Sequence, residues 1–202
     1  MIKNHDYNAW SQSMEGIRLA GWTLDPEHTG ASTGNLCPKC SLDNLLALIK
    51  ADYKLDWDGI HGVGHWQRVA ANGRKLAELN GANRLVVRMF AYLHDSQREN
   101  NQKDRDHGLR AAKWVLTSLP DYYPLTMGEI GMLTRACEMH NENVLGDSIT
   151  VSTCLDADRL DLARPGVGYT IDTRYLSTPQ ARDQGMIEWA IKRSKENLRD
   201  GE

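Results

Sequence analysis

The apolar run Met89-Phe90-Ala91-Tyr92-Leu93 ends abruptly in His94-Asp95-Ser96. Over residues 85 to 93 the apolar side chains cover nearly the whole circumference of a helix, so this segment reads as buried rather than half exposed. An imidazole and a carboxylate at the end of a buried helix are costly unless they pair, hydrogen-bond or hold a metal. The chain supplies its own contrast in His5-Asp6, which sits in a polar stretch with no apolar helix before it.

From Leu42 onward the pattern is helix after helix. Leu45, Leu46, Leu48 and Ile49 mark a short helix after Ser41, a plausible N-cap. A helix over about 63 to 79 places His65, Val69, Leu76 and Leu79 at helical spacing, so His65 lies on or beside the buried stripe. The central helix runs over about 84 to 95, and Ser96 to Asp106 is a polar surface loop. Further helices are expected over about 107 to 118, 126 to 140, 147 to 163 and 179 to 199, the last opened by Thr178-Pro179. No alternating strand pattern of any length appears, so the fold class is all-α: a helical bundle over residues 42–202 with an irregular appendage over residues 1–41.

A chain of 202 residues suffices for one full core with such an appendage. The formal net charge is -3 and no Lys/Arg run exceeds two residues, which disfavours nucleic acid as a partner. No stretch approaches the length of a membrane span and no signal-peptide pattern opens the chain, so the expectation is a soluble, cytoplasmic protein with no membrane partner. In that compartment Cys37, Cys40, Cys137 and Cys154 read as free thiols or metal ligands rather than disulfides. Cys37-Pro38-Lys39-Cys40 has the geometry of half a structural zinc site; His5 and His28, or a second subunit in a homo-oligomer, could complete it, and a redox pair or a plain turn is the competing reading.

Two more stretches share the character of His94-Asp95: His61-Gly62-Val63-Gly64-His65-Trp66-Gln67-Arg68-Val69-Ala70 upstream, and Leu155-Asp156-Ala157-Asp158-Arg159-Leu160-Asp161 downstream. The order His…His-Asp…Asp over roughly residues 59 to 164 resembles the HD superfamily of metal-dependent phosphohydrolases. His65 stands four residues before Val69-Ala70, His94-Asp95 match the pair itself, and Asp158 lies in an Ala-Asp-Arg-Leu context. The resemblance implies an HD-domain-like bundle with His65, His94, Asp95 and Asp158 as ligands of a divalent metal. Two imidazoles with two carboxylates suit Mn, Fe, Ni, Co or Zn. Helix geometry puts Asp158 and Asp161 on one face and Asp156 well away from it; an exposed helix charge is the simpler reading of Asp156 and Asp161, with Asp161 alternatively orienting a histidine.

His107 and His140 open and close the following helices, and three readings stand for them: ligands of a second metal, contacts to substrate phosphate or helix ends, or core histidines. Arg68, one turn from His65, and Arg98, just past His94-Asp95, are the nearest candidates to hold phosphate charge. Lys103, Arg105, Arg110, Arg159 and Arg164 add to them as a group. Asp95 would orient or deprotonate the attacking water. The resemblance thus implies hydrolysis of a small phosphorylated molecule, a nucleotide by analogy with the superfamily. The alternatives are a mixed-valence di-iron oxygenase, which needs both His107 and His140 as ligands, and a sensor that binds nucleotide or metal without turnover. Trp66, Tyr92 and Trp114 could stack a base, core packing being the simpler account.

Overall fold

The computed structural model describes residues 42–119, 123 and 125–196. The Ser41 cap, the Cys37/Cys40 half-site, His5 and His28 lie outside them, as does most of the Pro120–Pro124 turn. Among the described residues all regular structure is helical: α1 Leu42–Asp52, α2 Val63–Asn80, α3 Arg84–Leu93, α4 His107–Thr117, α5 Met127–Met139, α6 Ile149–Arg159, a 3-10 turn Thr173–Tyr175, α7 Pro179–Arg182 and α8 Gln184–Glu196. None of these helices is long and apolar enough to cross a membrane.

The central helix α3 is buried over most of its circumference, as its composition demands: Val86, Val87 and Met89 to Leu93 are all inaccessible. It packs on α2, α5 and α6. Its N-cap Asn83 accepts hydrogen bonds from the Leu85 and Val86 amides, and its side-chain amide donates to Glu129 Oε1 at 3.0 Å. The Asn83 backbone amide in turn donates to Thr150 Oγ1 at 3.0 Å. Glu129 belongs to a capping box with Thr126 at the start of α5, and Thr150 lies in the first turn of α6. These contacts gather the N-termini of α3, α5 and α6 at one end of the bundle.

Three helices that start together and run together also end together. His94 is the C-cap of α3, His140 the C-cap of α5, and Asp158 the penultimate residue of α6. α2 and α4 run the other way and deliver His65 and His107 from their first turns to the same end. Helix C-termini carry partial negative charge, so three of them converging favour a cation there.

Two features differ from the sequence expectations. The C-terminal helix is two helices, because Asp183 leaves helical dihedrals (φ -61, ψ 130) and its carboxylate accepts the Met186 amide at 3.0 Å, restarting the chain as α8. α7 and α8 then fold onto α2, where Leu76, Leu160, Leu176, Ala181, Met186 and Ala190 form a compact apolar layer. The loop from Ser96 to Asp106 is non-helical as expected, but Ser96 and Arg98 are buried within it.

Candidate metal centre

At the converging helix ends four imidazoles surround one carboxylate. His94 Nδ1 hydrogen-bonds the Phe90 and Ala91 carbonyls at 3.1 Å each, His140 Nδ1 the Cys137 carbonyl at 2.7 Å, and His107 Nδ1 the Asp104 carbonyl. A carbonyl can only accept, so each ring carries a proton on Nδ1 and leaves Nε2 as the atom that can give a lone pair. His65 Nδ1 is fixed in the same sense by Asp161 Oδ2 at 2.7 Å. Those four Nε2 atoms face each other in pairs: His65 with His94 at 3.1 Å, and His107 with His140 at 2.7 Å.

Lone pairs directed at each other across such distances repel unless a proton or cation lies between them. Two ligands at right angles on an ion with bonds of about 2.0–2.1 Å are about 2.9 Å apart, between the separations of the two pairs. Asp95 stands between the pairs. Its Oδ2 lies 3.8 Å from His65 Nε2 and 3.9 Å from His94 Nε2, and its Oδ1 lies 3.1 Å from His107 Nε2 and 3.6 Å from His140 Nε2. His65, His94 and Asp95 form one group able to hold a metal ion, and Asp95, His107 and His140 form another. Asp158 Oδ1 joins the first group, 3.3 Å from His65 Nε2 and 3.6 Å from His94 Nε2. The donor set of imidazole nitrogen and carboxylate oxygen fits a divalent transition metal.

Electrostatics agree with the geometry. Burial opposes charge on Asp95 and Asp158, but the surrounding imidazoles outweigh it and hold both carboxyls well below the usual range. Burial likewise pushes His140 down, whereas His94 is raised against burial by the charge of Asp95 and by Asp158.

No family model matches the sequence, and neither does any curated protein. The crystal structure of a predicted HD superfamily hydrolase from an uncultured Thermotogales bacterium superposes with a TM-score of 0.57 at 23% identity, over 75% of this chain and 85% of that chain. The fold is that of the HD domain. The His…His-Asp…Asp order read from the sequence is therefore carried on an HD-type bundle, with its four residues at one end.

Around the HD residues the structure moves several side chains from their expected places. Asp156 and Asp161 are not exposed charges: both are inaccessible. Asp156 accepts the Ser177 and Thr178 amides and the Thr178 hydroxyl at 2.6–2.8 Å, tying α6 to the segment before α7. Asp161 takes the alternative role, receiving His65 Nδ1, Arg68 Nε at 2.8 Å and Ser194 Oγ at 2.6 Å. Arg68 is thus turned to the carboxylate that backs His65. Arg159 donates to the Tyr175 and Glu142 carbonyls and Arg164 to those of Ile60 and Asp161, so both clamp backbone. Lys103 and Arg105 are exposed, and Arg110 pairs with Asp104 at 2.6 Å. Arg98 reaches Asp95 Oδ1 at 3.3 Å and His107 Nε2 at 3.2 Å. Trp66 and Tyr92 are core residues.

One participant was not singled out from the sequence. His61 Nδ1 lies 2.9 Å from Asp95 Oδ2, in the turn before α2. That turn is tight: Val63 N donates to the Trp57 carbonyl at 2.8 Å, and a Cβ on Gly62 would lie 2.0 Å from the same oxygen. Tyr53 Oη donates to the His61 carbonyl at 2.8 Å and fixes it further. The available signal was the His-x-x-x-His spacing ahead of the buried stripe.

Proposed function

We propose that this chain is a metal-dependent phosphohydrolase acting on a small phosphorylated molecule, with a nucleotide as the substrate class. The observation that carries the reading is the pair of facing imidazoles on either side of Asp95, each with its lone pair directed inward. His65, His94, Asp95 and Asp158 would hold one ion, and Asp95, His107 and His140 a second. Divalent cations bound there supply Lewis acidity to a phosphoryl oxygen and acidify a coordinated water.

The chain's own residues supply the rest. Asp95, kept ionised by its imidazole neighbours, would orient the attacking water by accepting its hydrogen bond. His61 donates to Asp95 Oδ2 and fixes the orientation of that carboxylate. Asp161, held by Arg68 and Ser194, orients His65 through Nδ1 and so points its Nε2 at the centre. Arg98, a guanidinium at the edge of the centre, would counter the negative charge of a phosphoryl group. The nucleotide assignment rests on the superfamily resemblance and on no base-binding contact.

The test is metal content by elemental mass spectrometry on protein purified without added metal, beside the His94→Ala/Asp95→Ala double variant. It is followed by phosphate release from a nucleotide panel with Mn, Ni and Co. Metal that disappears in the variant, together with metal-dependent phosphate release, supports the proposal. Metal bound equally by both proteins removes it. Because His107 and His140 do meet at Asp95, two irons per chain without phosphate release would instead favour the oxygenase.

A further inference from the structure

The two groups around Asp95 are not equivalent, because among the described contacts an arginine reaches the donor atoms of the second. Arg98 Nη1 lies 3.3 Å from Asp95 Oδ1 and 3.2 Å from His107 Nε2, both atoms of the second group. The guanidinium is pinned from behind: its Nη2 donates to the Gln102 carbonyl at 2.9 Å and its Nε to the Asn100 carbonyl at 3.4 Å. Arg98 is buried there, so this is a packed position and not a surface excursion.

The valence of His107 makes the arrangement decisive. Its Nδ1 proton is committed to the Asp104 carbonyl, so Nε2 has one lone pair to give. That lone pair can accept a proton from Arg98 Nη1 or bind a cation, but not both. The positive charge of Arg98 beside Asp95 Oδ1 opposes a second positive charge at the same oxygen. No corresponding guanidinium faces His65 Nε2 or His94 Nε2 among the contacts described, because Arg68 is on the far, Nδ1 side of His65 through Asp161.

We infer that Arg98 is a built-in competitor for the second cation: an ion enters the Asp95, His107 and His140 group only by displacing the guanidinium. The inference rests on the metal-dependent reading above and adds an order to it. The first group loads freely, and the second loads against Arg98. Asn100, Gln102 and Asp104, which hold Arg98 and His107 through their carbonyls, all lie in one loop, so second-ion loading is linked to the conformation of residues 96–106.

The experiment is a manganese titration of the full chain, stripped with chelator, followed by calorimetry and by manganese electron paramagnetic resonance. Wild type is compared with Arg98→Met and Arg98→Gln, and thermal unfolding monitors the fold of each. Wild type should bind one ion tightly and a second weakly. Both substitutions should strengthen the second ion on the order of tenfold to a hundredfold, the value of a charged hydrogen bond, and change the first, which meets Arg98 only through Asp95, by less. Adding His107→Ala to Arg98→Met should abolish the strengthened ion, placing it in the second group. Second-ion affinity that is equal in all three proteins, or weaker in both variants, overturns the inference while leaving the first site intact. Absence of any bound ion in wild type and variants overturns the metal-dependent reading and this inference with it.

Discussion

The two halves of the centre share Asp95 but are built in different ways. His65 and His94 lie on α2 and α3, and His65 is backed by Asp161, Arg68 and Ser194 from α6's end, α2 and α8. His107 and His140 are backed by main-chain carbonyls three residues away, Asp104 and Cys137. In the first half His65 is therefore braced by side chains distant in sequence while His94 rests on the Phe90 and Ala91 carbonyls of its own helix, and in the second half both histidines rest on local backbone. Long-range bracing ties a site to the whole fold, while local bracing ties it to one loop and one helix end. The first half should resist change at the loop and respond to change in the core; the second should do the reverse.

The largest test removes what the halves have in common. Asp95→Asn should lower the metal-dependent hydrolysis on the order of a thousandfold or more and reduce metal content at both groups, measured by steady-state kinetics and elemental analysis. Retention of the second ion alone would show that Asp95 serves only the first half. A smaller effect separates them. Asp161→Asn should weaken the first ion about tenfold to a hundredfold through His65 and leave the second unchanged in a manganese titration. It also leaves Arg68 without its buried counter-charge, at a cost of about 3 kcal/mol in denaturant unfolding of the chelator-stripped protein. The pH dependence has a fixed sign. Burial raises the Asp161 carboxyl, but His65 and Arg68 outweigh it and the folded value is lowered. Its stabilisation is therefore present above the unfolded value of about 3.9 and lost as pH falls through the folded one, so the variant should show a shallower acid limb below about pH 4.

The same contrast decides what could be read in the sequence. Helix positions were legible because they depend on local periodicity and caps, as at Thr178. The four-residue His65, His94, Asp95 and Asp158 set was legible as an order of motifs. The burial of Asp156 and Asp161 was not, since a carboxylate on a helix reads as exposed until its partners are known. Those of Asp161 lie 96 residues before it and 33 after it. Arg159 and Arg164 misled for the same reason, because their carbonyl partners carry no sequence signature. His61 was hidden by its setting in a turn, where periodicity says nothing about direction. The break at Asp183 was missed because an aspartate three residues before Met186 reads equally as helix interior and as a cap.

The local bracing of the second half can be disturbed without replacing a ligand. A Cβ at Gly108 would lie 2.5 Å from the Cys137 carbonyl and 3.3 Å from the His140 ring, between the two histidines' helices. Gly108→Ala should cost about 1–3 kcal/mol in denaturant unfolding by forcing α4 from α5. It should weaken the second ion and spare the first. Gly128, on α5 with open space around it, is the control: Gly128→Ala should stabilise by about 0.5–1 kcal/mol and change neither ion. If Gly108→Ala weakens both ions equally, the halves are one mechanical unit.

The smallest effect is expected at the end of α5 remote from His140. Thr126 accepts the Glu129 amide, and Glu129 Oε2 accepts the Thr126 amide at 2.8 Å while Oε1 accepts from Asn83 at 3.0 Å. Thr126→Ala should cost about 1 kcal/mol in thermal or denaturant unfolding, the usual value of a lost cap. Burial raises the Glu129 carboxyl, but its hydrogen bonds to Thr126 and Asn83 outweigh this and lower it. Its contribution is then present above the unfolded value of about 4.3 and lost as pH falls through the folded one, so only the part of the difference due to the Thr126 hydroxyl donating to Glu129 should fade at low pH, the lost cap on the Glu129 amide persisting. The metal titration carries the comparison. α5 is 13 residues long, and fraying at Thr126 should not reach a histidine held at the other end by its own Cys137 carbonyl. Unchanged affinity of both ions in Thr126→Ala would place the bracing of the second half in the last turn of α5. A weakened second ion would show that the whole helix, anchored through Asn83 to α3, sets the position of His140.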